Sequence, residues 1–135
     1  MRRFRLFTII LLLLGCGCAA LQPAQPPPAA SAYGPFPEQY RRLVTDYMAP
    51  FLLNPESSSY TNWQGPGRGF VTTATGIFYG YRVCTSLDFR NRAGVYTGGR
   101  TYLFLISNDR VVLHEGGHPA GTPEADLLAR VCNDL

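Results

Sequence analysis

Apolar positions recur at helical spacing in two stretches of the chain and alternate between them, and these two periods divide it into elements. Pro37 is a favourable first helical residue. After it, Tyr40, Leu43, Val44, Tyr47 and Phe51 fall on one helical face, while Arg41, Arg42, Thr45 and Asp46 fall largely on the other. Pro50 is expected to end or kink this helix near Ala49. Asn54-Pro55 reads as a turn and residues 57–63 as a short strand. Residues 70–89 are rich in threonine, tyrosine, valine and phenylalanine, which suit strands. Within them Ile77, Tyr79, Tyr81 and Val83 alternate with Phe78, Gly80, Arg82 and Cys84, which predicts a central strand using both faces. Three glycines in residues 91–100 predict a connecting loop. Residues 101–107 and 110–113 then flank Asn108-Asp109, a two-residue hairpin turn. Thr122 is a suitable N-cap, Pro123 a suitable first residue, and Glu124 and Asp126 complement the dipole of a last helix that lines up Leu127, Leu128, Val131 and Cys132. The predicted fold is α+β: an N-terminal helix, an antiparallel sheet of about four or five strands, and a C-terminal helix packed on the sheet, in one small domain over residues 37–135.

The start of the chain follows a different pattern. Arg2, Arg3 and Arg5 precede residues 6–14, which are apolar apart from Thr8, in the basic-then-hydrophobic order of an export signal. A run this short falls well below the ~20 residues of a membrane-spanning helix. It ends in Leu13-Leu14-Gly15-Cys16, which resembles the lipobox of bacterial lipoproteins. The resemblance implies a signal peptide over residues 1–15, cleavage after Gly15, and diacylation and N-acylation of Cys16. Several acyl chains anchor a protein firmly where one holds it marginally. An ordinary signal cut after Ala20 is the competing reading, because Cys18-Ala19-Ala20 ends in small residues. Residues 21–37 contain six prolines and few core-forming side chains. Residues 16–36 are therefore expected to form a lipidated, polyproline-like tether.

Charge and cysteine content narrow the compartment and the partners. The chain has no lysine, and removing the signal leaves nine arginines against nine acidic residues. The mature net charge of zero gives no reason to expect a nucleic-acid partner. About 120 residues remain, enough to bury roughly two thirds of the unfolded surface in one small core. Of the four cysteines, Cys16 and Cys18 lie at the anchor. In an oxidising envelope Cys84 and Cys132 are expected to form a structural disulfide, since the last helix should bring Cys132 against the sheet. Gly17 stands where the enterobacterial inner-membrane retention signal has aspartate, which favours the outer membrane, facing the periplasm.

Two motifs carry candidate chemistry. Gly65, Gly67 and Gly69, around Pro66 and Arg68, are spaced like a phosphate-cradling loop, yet no helix follows them, so a mobile loop without a nucleotide is expected. His114-Glu115-Gly116-Gly117-His118 fits H-E-x-x-H and, with Gly121 and Glu124, resembles the metzincin zinc-protease signature with glutamate as third ligand. That chemistry needs the two histidines one helical turn apart on one metal, with Glu115 polarising its water. Two glycines disfavour the turn by about 1 kcal/mol each, Pro119 follows at once, and no methionine lies downstream for the turn beneath the metal. The motif is therefore read as a polar loop and no cofactor is assigned; a zinc-dependent hydrolase using His114, Glu115 and His118, with Glu124, is the alternative.

The body of the domain, around residues 83–112, resembles a family of small secreted proteins of Gram-negative bacteria, chiefly alphaproteobacteria. The matching positions are Cys84, Asn91, Gly94, Tyr96, Gly98, the run Tyr102-Leu103-Phe104-Leu105-Ile106, and Val111-Val112. That family usually has asparagine in place of Asp88 and often glycine in place of Asp109. The resemblance implies the strand, loop and hairpin already read from the pattern, and transfers no catalytic residue. Tyr60, Trp63, Phe70, Tyr79 and Tyr81 are either cross-strand core pairs or an aromatic surface for glycan or peptide. No serine or cysteine has an evident base as partner. The resulting expectation is a lipid-anchored cell-envelope protein with a non-catalytic binding or structural role toward an envelope protein or cell-wall component.

Overall fold

A computed structural model describes residues 29–135. The signal, the lipobox with Cys16, Cys18 and the first part of the proline-rich spacer lie outside the described residues.

The alternating stretches build one antiparallel sheet of four strands, β1 (Ser59–Thr73), β2 (Gly76–Asp88), β3 (Arg100–Ser107) and β4 (Arg110–Gly116), hydrogen-bonded in that order. Because successive residues of a strand face opposite sides, β2 and β3 serve two cores at once. Val83, Leu87, Tyr102, Phe104 and Ile106 face one side, where they meet Val44, Met48 and Leu52. Cys84 and Leu103 face the other, where they meet Leu128 and Cys132. The β3–β4 hairpin turns at Asn108-Asp109, both with positive φ (50° and 56°). This is the left-handed pair that a two-residue turn matching the strand twist requires.

The first core is closed by α1 (Tyr40–Met48), whose Val44 and Met48 are buried while Tyr40, Leu43 and Tyr47 pack beside them. Pro50 cannot donate the next helical hydrogen bond, and the chain tightens into a 3₁₀ turn at Ala49–Phe51. The tighter winding carries Phe51 out of the apolar face on which the periodicity put it. It is 62% exposed and lies against Tyr47 and His114, with ring centroids 5.5 and 5.8 Å away. Met48, absent from the expected face, takes the buried place.

The second core is closed by α2 (Pro123–Asn133). Thr122 caps it as expected, its Oγ1 accepting from the Ala125 N–H at 3.3 Å. Leu128 and Cys132 are buried one turn apart, and Cys132 is bonded to Cys84 with Cα atoms 5.8 Å apart. Leu127 departs from expectation: it sits 100° round the helix from Leu128 and is 65% exposed.

Two further segments differ from the sequence reading. The glycine-rich run Gly65 to Gly69 is the middle of β1, not a loop. With little side chain to alternate it carries no strand period, but it pairs with β2, Gly67 opposite Arg82 and Gly69 opposite Gly80. A Cβ on Gly69 would occupy the space of the Arg82 side chain. The end of the proline-rich spacer also packs. A 3₁₀ turn at Ala30–Tyr33 sets Tyr33 edge-on to Tyr79 at 5.8 Å, Phe36 stands edge-on to Tyr81 at 5.4 Å, and Pro37 is fully buried. Short proline-linked aromatics suffice here because the sheet offers aromatic partners for them.

Burial in the α1 layer raises the hydroxyl pKa of Tyr60 and Tyr102 above the ordinary 10.0. A hydrogen bond with Ser58 partly offsets the rise at Tyr60, and Arg100 partly offsets it at Tyr102. The folded state thus holds these protons more tightly than the unfolded chain. The associated stability is complete below pH 10 and is lost as pH climbs through the raised folded values. Melting temperature is expected to fall above pH 10, with two tyrosines ionising late in an ultraviolet titration of the native protein. A melting temperature flat through that range would contradict the burial.

Candidate binding cleft

The site begins with two irregularities in β1. Pairing runs regularly from Ser59 to Thr61, then jumps: Thr61 faces Ser86 but Gln64 faces Cys84, so Asn62 and Trp63 stand against Thr85 alone. Such a bulge needs one residue off the extended conformation. Asn62 supplies it with φ 53°, a region asparagine tolerates better than most residues. A second jump between Gln64 and Gly67 uses Gly65 at φ 84°, where a Cβ would run into the Arg82 carbonyl oxygen. Together the bulges lift this part of β1, leaving a cleft of about 610 Å³ between β1, the middle of β2, the start of β3 and the end of α2.

Its polar groups come from four elements: Asn62 and Gln64 from β1, Ser86 from β2, Thr101 from β3 and Asn133 from α2. The Cys84–Cys132 bond forms part of the wall. Every residue lining the cleft is uncharged. Thr85 Oγ1 is already committed, donating to the Thr61 carbonyl oxygen at 2.8 Å. Gln64 Nε2 donates to Asn133 Oδ1 at 3.5 Å, the outer limit of a hydrogen bond. Each amide has two donors and two lone pairs, so this contact leaves most of their capacity available. Gly99 leaves room for Ser86, since a Cβ there would lie 2.6 Å from Ser86 Oγ. The Trp63 ring packs against the first core on the α1 side of the sheet, where it stacks on Tyr60 (5.8 Å, 16° between planes) and stands edge-on to Tyr40 at 5.9 Å, with the Arg41 guanidinium 5.6 Å from its ring centre.

The chain matches no protein-family model, no curated protein and no solved structure.

The residues singled out by motif are placed elsewhere. β4 continues through His114 and Glu115, which as strand neighbours face opposite sides: His114 pairs with Phe104 over the first core, and Glu115 with Leu103 over the second. His114 Nδ1 and the Tyr47 hydroxyl share a hydrogen bond of 2.8 Å. Gly116 and Gly117 have φ 139° and 77°, so the helical turn that would align His118 with His114 does not form. Glu115 and Glu124 instead border a groove of about 240 Å³ with Arg82, Leu127, Leu128 and Val131. The aromatic set divides in two, Tyr60 and Trp63 against the first core and Phe70, Tyr79 and Tyr81 by the N-terminal segment. Asn91 and Tyr96 are spent on the loop itself: Asn91 Oδ1 accepts from the Ala93 and Val95 N–H groups, and Arg90 lies over the Tyr96 ring. Sequence reasoning missed Asn62, Gln64, Ser86, Thr101 and Asn133, which share no spacing: Ser86 and Thr101 meet as partners in the β2–β3 register, and the breaks in β1 pairing set where Asn62 and Gln64 fall.

Proposed function

We propose that the protein is a lipid-anchored component of the bacterial cell envelope, exported by residues 1–15, attached through Cys16 to the outer membrane facing the periplasm, and acting there by binding rather than catalysis. The observation that carries the binding role is the lining of the cleft: amides and hydroxyls converge there, and no carboxylate, imidazole or guanidinium lines it to move a proton or activate a nucleophile. The disulfide fits an oxidising compartment. Among the described residues no helix is long and apolar enough to cross a membrane.

The test has two arms in living cells. Cys16→Ala is expected to abolish labelling by a palmitate analogue and to release the protein from the membrane fraction. A photo-crosslinking residue in place of Asn133 is expected to capture an envelope or cell-wall component that the same residue in place of Asp109, on the far hairpin turn, does not. Equal labelling of wild type and Cys16→Ala would overturn the anchor, and identical capture from both positions would overturn the cleft as the binding site.

A further inference from the structure

We propose that the projecting end of the β1–β2 hairpin dips into the phospholipid surface beside the anchor and so stands the domain on the membrane in one orientation. The inference goes beyond the binding role and rests on the lipid attachment proposed above.

Pairing between β2 and β3 ends at Tyr81 opposite Ile106, whereas β1 and β2 stay paired out to Thr73 opposite Gly76. Residues 76–80 of β2 and their partners therefore form a two-stranded ribbon that runs beyond the rest of the sheet, on the order of 16 Å at the rise of a strand. Ile77, Phe78 and Phe70 occupy its second, third and fourth rungs from the turn and are 47%, 42% and 56% exposed. A cluster of exposed large apolar side chains marks a surface that meets a protein or a membrane. Alternation decides between the two. Phe70 and Ile77 lie on the side of Tyr79 and Tyr33, while Phe78 lies with its partner Val71 on the side of α2. Both faces of the ribbon are thus apolar. A protein laid against a sheet covers one face, whereas a lipid surface entered end-on surrounds both.

The polar groups of the ribbon suit the same medium. At the turn, Thr73 Oγ1 donates to the Gly76 carbonyl oxygen at 3.3 Å, accepts from the Thr75 N–H at 3.2 Å and is hydrogen-bonded to Thr75 Oγ1 at 2.9 Å. Groups already paired with one another lose little when water is withdrawn. No aspartate or glutamate occurs between Glu56 and Asp88, so nothing on the ribbon repels lipid phosphate. Its base carries exposed Arg68, opposite Tyr81, with the guanidinium 5.6 Å from the Tyr33 ring centre. Nε donates to the Tyr81 hydroxyl at 3.5 Å, which leaves the terminal N–H groups for phosphate. Apolar side chains ahead of a cation is the order of an interfacial element. On the α2 side Glu115 and Glu124 border the groove with Phe70 and Arg82, and their charges limit how far the ribbon can sink.

The described chain begins at the same place, its first 3₁₀ turn packing Tyr33 on Tyr79. Residues 17–28 can span at most about 3.5 Å each, so this end of the domain lies within roughly 45 Å of Cys16. Three partly inserted side chains do not replace the acyl anchor, since even one full acyl chain holds a protein only marginally. They orient what the anchor holds. With the ribbon down, the cleft around Gln64 and Cys84, at the other end of the same two strands, faces away from the lipid.

Phe78→Trp, Ile77→Trp and, as a control in the loop at the opposite end of the sheet, Tyr96→Trp are introduced singly into the mature lipidated chain. Each is reconstituted in vesicles of phosphatidylethanolamine and phosphatidylglycerol, with and without phospholipid brominated on its acyl chains, which quenches an indole on contact. Trp63, the sole tryptophan of the chain, sets the wild-type baseline. Added indoles at positions 77 and 78 are both expected to emit further to the blue on vesicles and to lose emission to bromine, and that at position 96 to do neither. A response at only one of positions 77 and 78 would overturn end-on entry. A blue shift without bromine quenching would show the ribbon covered by a second copy or another protein and would overturn the inference. If Cys16 carries lipid and the protein stays on the vesicles while neither ribbon indole responds, the hairpin contact is excluded and the anchor stands. If Cys16 carries no lipid, both readings fall.

Discussion

Phe104→Ala is expected to destabilise the domain by about 3–5 kcal/mol, among the largest effects any single truncation should have here. Phe104 sits at the centre of β3 with 0% exposure, in the core where α1 meets the sheet. Its ring lies 6.4 Å from Tyr47, 6.2 Å from Tyr102 and 6.1 Å from His114, centroid to centroid. Removing the ring loses its transfer energy and leaves a void, because Tyr102 is held in β3 and Tyr47 in α1 and neither can collapse into the gap. A domain this size has about 5–15 kcal/mol of net stability, so the variant should be largely unfolded at modest denaturant or temperature. Ile106→Val, equally buried two residues along, should cost only about 0.5–1.5 kcal/mol. Urea unfolding of the two variants measures the contrast. A cost below about 1 kcal/mol for Phe104→Ala would show that β3 does not run through the core as described.

Cys132→Ser is expected to cost about 4 kcal/mol. The Cys84–Cys132 bond spans 48 residues, and in the chain-entropy account closing a loop of that length removes denatured-state freedom of this order. The serine hydroxyl would also arrive at a position where Cys132 is 2% exposed, without an evident partner. Reduction of the wild type should lower the melting temperature comparably, and reductant should then have no further effect on Cys132→Ser. That absence of additivity identifies the bond, rather than the residue, as the source. Two free thiols in unfolded, unreduced protein would exclude it.

The elements legible in the sequence are those whose signal is local. The α1 helix, the Thr122 cap and the Asn108-Asp109 turn each depend on a few neighbouring residues, and the structure has them where the pattern put them, Phe51 and Met48 excepted. The disulfide was legible because only two cysteines lie within the domain. The illegible parts depend on long-range pairing. Gly65 to Gly69 present no alternation, so only their register against β2 makes them strand. Tyr33 and Phe36 are isolated aromatics among prolines, and become structural only when Tyr79 and Tyr81 are brought beside them. The cleft is the extreme case. Its polar residues occupy ordinary strand and helix positions, and strand register together with two breaks in β1 pairing, invisible to any period, decides that they converge.

The same bulges bear on how copies of the domain meet one another. At fifteen residues β1 is long for a strand with only one partner. An unpaired edge of that length would ordinarily be a template for a neighbour's backbone and a route to aggregation. Here the row of donors and acceptors is interrupted after Thr61 and again after Gln64, and Pro66 contributes no N–H at all. No stretch on either side of the breaks presents the full length in one register. Crowded molecules can therefore lie side by side without their sheets fusing, and the irregularity that opens the cleft on one side of β1 protects the margin of the sheet on the other.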